Sequence, residues 1–277
     1  MPLICHNGRF LDAATPVLDA ANPAFRWGEG LFETMRMHNG TIPLAARHWA
    51  RLQDGLERLG LNAAALQQPV LENLLEELAR RNDCSAAARL RLEVYRDGSG
   101  LGFVAEATAL DAADAGLNER GWQVEVFPDA RIAADAFSSL KRSCYLPYLL
   151  AARRAADTSM DECLLLNAWG RVCDGARSSV FVVRGNDIVT PPLSEGAIDG
   201  VLRRHLIDTL AAEGRPVREE ALTMEDLLAA DELFLTNALK GIRWAARFRS
   251  RTYGNTRARP LYERLGEPFA APAVASE

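Results

Sequence analysis

Two Asn-Gly pairs, Asn7-Gly8 and Asn39-Gly40, sit between short apolar runs early in the chain. Both residue types tolerate positive φ, which a two-residue hairpin turn requires, so the chain is committed at once to antiparallel strands. The expected pairs are Leu3–Cys5 with Arg9–Leu11, and Leu31–Met37 with Thr41–Ile42. The apolar period then lengthens. Leu52, Leu56 and Leu59 share one face of a helix over His48–Leu59, and Leu71, Leu74, Leu75 and Leu78 do the same in the next helix. Leu90, Leu92 and Val94 alternate with Arg91, Glu93 and Tyr95, the pattern of a strand with one buried face. Further strands are expected at Val124–Phe127, Cys163–Leu166, Val180–Val183 and Leu233–Thr236. Helices are expected at Tyr148–Ala156 and at Val201–Ala212, the latter terminated by Gly214. The class is α/β or α+β, and the pattern alone leaves the topology open.

The polar, Ala-rich stretch Ala109–Gly121 reads as a linker. It divides the chain into a small N-terminal α/β domain (1–110), a linker (111–121) and a larger C-terminal domain (122–277) whose Ala- and Pro-rich tail frays from about 267. With 277 residues, 48% of them hydrophobic, there is ample material for a core. The net charge of -5 offers no basic field for nucleic acid. Five widely spaced cysteines without a C-x-x-C pair argue against a disulfide framework or zinc cluster and for a reducing, cytoplasmic setting. Met1–Phe10 lacks the basic and apolar regions of a secretion signal, and no stretch is long enough for a membrane span. The four histidines form no metal-spaced pair, so no metal is expected.

Of 32 basic residues only Lys141 and Lys240 are lysines, which restricts any Schiff base to two side chains and the N-terminus. Lys141 lies between Phe137-Ser138-Ser139-Leu140 and Cys144-Tyr145-Leu146. Its amine is either desolvated into a nucleophile or carried to water on a packed stem. Gly200 opens the helix at Val201, which is either an anion site or an ordinary start with Asp199 as N-cap. Asp174-Gly175 is either turn chemistry or a carboxylate placed to face a ring nitrogen. Gly28-Glu29-Gly30 runs into Glu33 without the third glycine of a dinucleotide fingerprint, and there is no Walker A run or G-x-S-x-G elbow. Gly98, Gly100 and Gly102 read as a flexible loop.

Taken in order, these segments resemble the class IV aminotransferases, the fold-type IV group that includes branched-chain aminotransferases and 4-amino-4-deoxychorismate lyase. Arg26-Trp27-Gly28-Glu29-Gly30-Leu31-Phe32-Glu33-Thr34 is similar to the family's aromatic-Gly-Asp-Gly-x-Phe-Glu segment, and His48–Leu52 to its His-x-x-Arg-Leu helix. Leu140-Lys141, Asp161–Leu166, Gly170-Arg171-Val172, Phe181, Thr190-Pro191-Pro192, Gly200–Arg203 and Ala230–Phe234 follow in the family's order, so the resemblance spans about Asn7 to Ala246. It implies a two-domain fold with pyridoxal 5'-phosphate in the cleft between the domains, and a homodimer. Lys141 would bind the cofactor aldehyde and later move the Cα proton. Arg51, with the backbone of Val201 and Leu202, would grip the phosphate. Asp174 would face the pyridine nitrogen. Thr236, Asn237 and Ala238 would lie near the phosphate and the substrate carboxylate. Glu33, Tyr145, Arg96 and Arg243 are the candidate substrate contacts.

The chain departs from the pattern at four positions. Asp174 stands where Glu is usual and is one methylene shorter, so either the backbone approaches more closely or the electron sink is weaker. Ser179 replaces a common Asn, Leu202 replaces a frequent Thr, and Tyr145 follows the lysine by four residues instead of five. D-amino-acid aminotransferases carry Arg and His where this chain has Leu101 and Phe103. The resemblance therefore implies a transaminase acting on an amino acid and a 2-oxo acid. One alternative is a lyase that cleaves aminodeoxychorismate to 4-aminobenzoate and pyruvate, a step of folate biosynthesis. A cofactor-binding homologue of weak activity is the other.

Overall fold

The computed structural model describes residues 1–111, 116–265 and 269. The expected linker at 111–121 lies partly, and the expected fraying tail almost wholly, outside the described residues. Contacts gather the chain into two compact units. One is Met1–Asp114 with Leu140–Cys144, and the other is Ala115–Ser139 with Tyr145–Glu277.

In the first unit, β1 (Leu3–His6) and β2 (Arg9–Asp12) form the first hairpin, with Asn7 at φ 49 and Gly8 at φ 82 supplying the turn. After the short α1 (Pro23–Trp27), the chain enters β3 (Gly30–His38). Asn39 and Gly40 again take positive φ, but the return strand shrinks to a single bridge, His38 to Thr41. Pro43 has no N–H for a ladder, and Leu44, at φ 58, turns the chain into α2 (Ala45–Arg58). Helix α3 (Gln68–Arg81), β4 (Ala87–Asp97) and β5 (Gly100–Ala109) complete a five-stranded sheet ordered β2-β1-β5-β4-β3, with β3 at one edge.

Register assigns the two faces. Leu31, Glu33, Met35 and Met37 of β3 lie beside Val94, Leu92, Leu90 and Ala88 of β4. The apolar members of this set join Trp49, Leu52 and Leu56 of α2 and Leu71, Leu75 and Leu78 of α3 in one buried cluster. Gly55 lets α2 come close: a Cβ there would fall 2.6 Å from Leu31 Cδ1. The opposite face carries Phe32, Arg91, Glu93 and Tyr95. The glycines expected in a loop mostly belong to β5. Tyr95 lies across Gly102, where a Cβ would fall 2.7 Å from its ring, and only Gly98 remains in the turn. Leu101 and Phe103 point the other way, against the apolar cluster.

The second unit contains a nine-stranded sheet. Its strands are β6 (Trp122–Ile132), β7 (Glu162–Asn167), β8 (Val172–Gly175), β9 (Ser179–Arg184), β10 (Asp187–Thr190), β11 (Arg218–Glu219), β12 (Glu232–Asn237), β13 (Gly241–Phe248) and β14 (Arg251–Thr252). The order is β11-β10-β9-β12-β13-β6-β7-β8, with β14 paired to β13. Helix α4 (Leu146–Asp157) crosses between the parallel strands β6 and β7. β8 passes into β9 through a three-residue turn closed by Gly175 N–H to Ser178 O at 2.6 Å, so the sheet curls back on itself. Curling explains why β7 is buried along its whole length. Leu164 and Leu166 face an inner cluster with Val180, Val182 and Leu235, while Cys163 and Leu165 pack against Tyr148, Ala151 and Ala155 of α4. Helices α5 (Val201–Ala212), α6 (Met224–Ala229) and α7 (Ala258–Leu265) complete this unit. No helix among the described residues is long and apolar enough to cross a membrane.

Glu162 opens β7 fully buried. Ser178 Oγ donates to its Oε2 at 2.8 Å and Cys163 N–H to its Oε1 at 3.1 Å, yet burial pushes the carboxyl above its ordinary range. Once pH exceeds the unfolded value near 4.5, the unfolded chain ionises and the folded one resists, so stability falls as pH rises. Thermal melts from pH 5 to 8 should show Glu162→Gln gaining on the wild type as pH increases. A loss that deepens with pH would contradict the assignment.

Candidate active site

Lys141 is mounted on the free edge of β3 in the first unit. Phe32 N–H donates to Lys141 O at 2.9 Å, Ser143 N–H donates to Gly30 O at 3.0 Å, and Arg142 bridges Leu31 between them. Residues 141–143 thus extend the sheet by one short antiparallel strand. Lys141 Nζ lies 4.2 Å from the centroid of the Phe32 ring, an attraction between ammonium and π-face. On the same sheet face, Ser143 Oγ donates to Glu93, which also pairs with Arg91, and the Arg91 guanidinium stands 4.1 Å from the Phe32 centroid. Beside them opens a cavity of about 410 Å³, lined in part by Arg91, Glu93, Tyr95, Glu106 and Ser143.

Glu33 is the next residue along β3 and turns to the helix side. It accepts from Arg51 Nε at 2.7 Å and from Arg51 Nη2 at 2.5 Å, a fork-to-fork pair. His48 Nδ1 stands 2.7 Å from Glu33 Oε2. Glu33 and His48 are each 1% exposed. Burial would raise the Glu33 carboxyl, but the Arg51 charge and the His48 hydrogen bond outweigh it and hold the group at about 2. Burial lowers His48 against the pull of Glu33, with Arg51 and Lys141 adding repulsion, and its Nδ1 hydrogen-bonds the Glu33 carboxylate. Glu33, one of the candidate substrate contacts, pairs here with Arg51. The sequence reading missed His48 as its partner, although His48 and Arg51, three residues apart on α2, necessarily share a face.

Arg96, another candidate substrate contact, donates from Nε to Glu29 Oε1 at 2.7 Å on the first unit's surface. Arg243, in the second unit, is 2% exposed and donates to the carbonyl of Gly116, which ties the start of that unit to β13.

In the second unit, Asp174 sits at the end of β8, 3% exposed, and accepts from Ile198 N–H at 3.1 Å and Gly175 N–H at 3.2 Å. Tyr145 caps α4, stacks on Tyr148 at 4.4 Å and donates to Ala176 O at 3.2 Å, two residues beyond Asp174. Helix α5 begins at Val201 with Gly200 as its cap and no side-chain cap bond; Asp199, expected in that role, pairs with Arg204. Gly200 is extended at φ -66 and ψ 127, so the helix starts one residue later than Asp199 would allow. The N–H groups of Val201 and Leu202 therefore belong to an uncapped first turn. Ser179 faces this turn, since a Cβ on Gly200 would fall 2.5 Å from Ser179 Oγ. Ser179 pairs with Thr236 in register, and Thr236 Oγ1 is buried without a hydrogen-bond partner among the described residues. Asn237 Oδ1 accepts from Leu239 and Lys240 N–H at 3.0 and 2.8 Å, shaping the turn that presents Ala238. An uncapped helix start, an orphaned hydroxyl and a glycine cradle form a donor set suited to a phosphate. No three His, Cys, Asp or Glu residues are grouped to hold a metal among the described residues.

Comparison with known proteins gives a consistent result. The family model for amino-transferase class IV matches residues 30–248. Aminodeoxychorismate lyase of Bacillus subtilis is 30% identical over 91% of this chain and 89% of its own. A putative branched-chain-amino-acid aminotransferase of Methanocaldococcus jannaschii is 27% identical over 95% and 93%. The branched-chain aminotransferase of Thermoproteus uzoniensis, solved with norvaline, shares the fold at a TM-score of 0.83 and 24% identity, covering 95% of this chain and 93% of that one.

The depressed pKa of Glu33 sets a pH window. The stability it contributes is complete above the unfolded value near 4.5 and is lost as pH falls toward about 2. Glu33→Ala is expected to cost about 3 kcal/mol at neutral pH, because it strands the half-buried Arg51 charge without its buried partner. Its denaturation curve should also be flatter than the wild type's between pH 4.5 and 2. Urea unfolding across that range checks both, and a variant as stable as the wild type would refute them.

Proposed function

This chain belongs to the amino-transferase class IV family, and we propose that it is a transaminase that moves an amino group between an amino acid and a 2-oxo acid, with Lys141 carrying the cofactor. The family consists of pyridoxal 5'-phosphate enzymes of fold-type IV, an α+β class, and includes both transaminases and lyases. The observation that carries the reading is the mount of Lys141: its backbone is held at both sides by β3 and its amine rests on Phe32.

The donor sets fit the cofactor's groups. In the second unit, the N–H groups of Val201 and Leu202 and the Thr236 hydroxyl would hold the phosphate; in the first, Arg51 is proposed as a phosphate contact because its His-x-x-Arg-Leu helix resembles the family's. Asp174, fixed by Ile198 N–H, would keep a proton on the ring nitrogen. When bound, pyridoxal phosphate supplies an electron-withdrawing ring that makes the substrate's Cα proton acidic. Lys141 Nζ would be the attachment point for the cofactor and, as a free amine, would take up and return that proton. Ser179 brings a hydroxyl to the α5 start, where Leu202 lacks one, and Tyr145 packs beside the Asp174 turn. The turn at Asn237 and Ala238 would lie next to the substrate carboxylate. Leu101 and Phe103, packed on the apolar cluster, offer no charge to a D-amino acid's carboxylate.

Aminodeoxychorismate lyase is the second reading, favoured by the 30% identity to the Bacillus subtilis enzyme and by Phe32-Glu33-Thr34 and Asn237-Ala238-Leu239. Production of 4-aminobenzoate from aminodeoxychorismate would select the lyase. Conversion of the bound cofactor to its amine form by an amino acid alone would select the transaminase. A coloured protein inert in both assays would leave only cofactor binding. Family membership also leads us to propose a homodimer and a cytoplasmic setting. Phe25 and Trp27 of α1, exposed by 70% and 76%, are apolar surface available to such an interface.

Lys141→Ala should abolish the near-visible absorbance of the bound cofactor, while Lys240→Ala leaves it intact. Borohydride reduction followed by peptide mapping should place the label on Lys141. Arg51→Ala is expected to weaken cofactor binding by about 2 to 3 kcal/mol, read by absorbance titration. Label on Lys240, or unchanged affinity in the Arg51 variant, would overturn these assignments.

A further inference from the structure

β3 carries both of the first unit's anchors for the cofactor, one residue apart. Phe32 binds the backbone of Lys141 along the strand's free edge, and Glu33 binds Arg51 across the sheet's helix face. Successive residues of a strand are about 3.3 Å apart, so the two anchors share a short and stiff baseline. Arg51 sits on a long side chain with many rotamers, and two of its three guanidinium nitrogens are fixed by the Glu33 carboxylate. His48 holds the other side of that carboxylate through Nδ1 at 2.7 Å and, like Glu33, is buried. Stability alone is a poor reason to keep such a pair, because a buried ion pair is often no better than apolar residues of the same volume.

We propose that Glu33 is a positioning residue: it sets the Arg51 guanidinium at a fixed span from Lys141, matched to the distance between the cofactor's phosphate and its aldehyde, with His48 locking the carboxylate. This inference rests on the functional reading above. Its content is geometric. The Glu33 charge by itself opposes a phosphate, so the carboxylate helps phosphate binding only by aiming the arginine. Shortening the carboxylate while keeping its charge should therefore be harmful. The effect should be confined to ligands that bear the phosphate.

The experiment is an absorbance titration of cofactor-free protein with pyridoxal phosphate and, separately, with pyridoxal, which has the same aldehyde and no phosphate. The ratio of the two affinities measures the phosphate's contribution. In Arg51→Ala the ratio should fall by about 25-fold to 150-fold, the fold-change that a loss of about 2 to 3 kcal/mol implies. Glu33→Asp should lose a comparable factor, and the double variant Glu33→Asp/Arg51→Ala should lose no more than Arg51→Ala alone. Pyridoxal affinity should stay within about two-fold throughout. An undiminished ratio in Glu33→Asp, or losses that multiply in the double variant, would overturn the inference. If Glu33→Asp fails to fold by circular dichroism, His48→Asn takes its place: a reduced ratio supports the lock, and an unchanged ratio counts against it. Wild-type protein that takes up neither aldehyde would sink the functional reading itself. Uptake of both, with an unchanged ratio in the Glu33 or His48 variant, would sink only this inference.

Discussion

Two backbone hydrogen bonds, Phe32 N–H to Lys141 O and Ser143 N–H to Gly30 O, join segments more than a hundred residues apart in sequence. Everything distinctive about the first unit depends on them. They turn an otherwise open sheet edge into a seat for residues 141–143 and dispose of exposed donors and acceptors that would invite another strand. Because pairing fixes which way alternate side chains point, they place Lys141 and Ser143 on the same face as Phe32. From there Ser143 reaches Glu93 and the Lys141 ammonium meets an aromatic ring.

Charge is handled differently on the two faces of this sheet. On the helix side, buried Glu33 and His48 and the half-buried Arg51 form a group in which a carboxylate stays ionised far below its usual range. On the other side, Arg91, Glu93 and Glu106 line a cavity and remain partly exposed. The first arrangement suits a fixed contact with one constant ligand, and the second suits changing occupants. In the second unit the same division recurs in neutral form. Backbone N–H groups hold Asp174, while the Thr236 hydroxyl is buried without a partner among the described residues and α5 starts without a side-chain cap.

Much of the architecture was legible in the sequence because it is local. The Asn7-Gly8 hairpin, the periods of α2 and α3, the alternation of β4 and the span of α5 follow from turn chemistry and spacing over a dozen residues. What stayed hidden is long-range. Nothing in residues 172–184 announces that β8 and β9 close a curled sheet, and nothing near Lys141 announces its pairing with β3. Gly100 and Gly102 read as a loop because a glycine's usual meaning is freedom. Here Gly102 sits in a strand under the Tyr95 ring. Asp199 read as a cap because it precedes a helix, but Arg204 claims it and the helix begins after Gly200. Of the site, the ordered motifs identified Lys141, Arg51 and Asp174 as candidates. The contacts around them, His48 to Glu33 and Ile198 to Asp174, appeared only with the register and the packing.

Gly55 gives the first unit an unusual sensitivity. The helix that carries Arg51 and His48 rests on β3 at a point with no side chain to spare, one turn beyond Arg51. A methyl group added there would act as a shim under a rigid beam. Even if the Leu31 side chain yielded, part of the displacement would travel along α2 and loosen the grip on Glu33. The smallest residue in the helix is thus a calibration point for the arginine one turn before it.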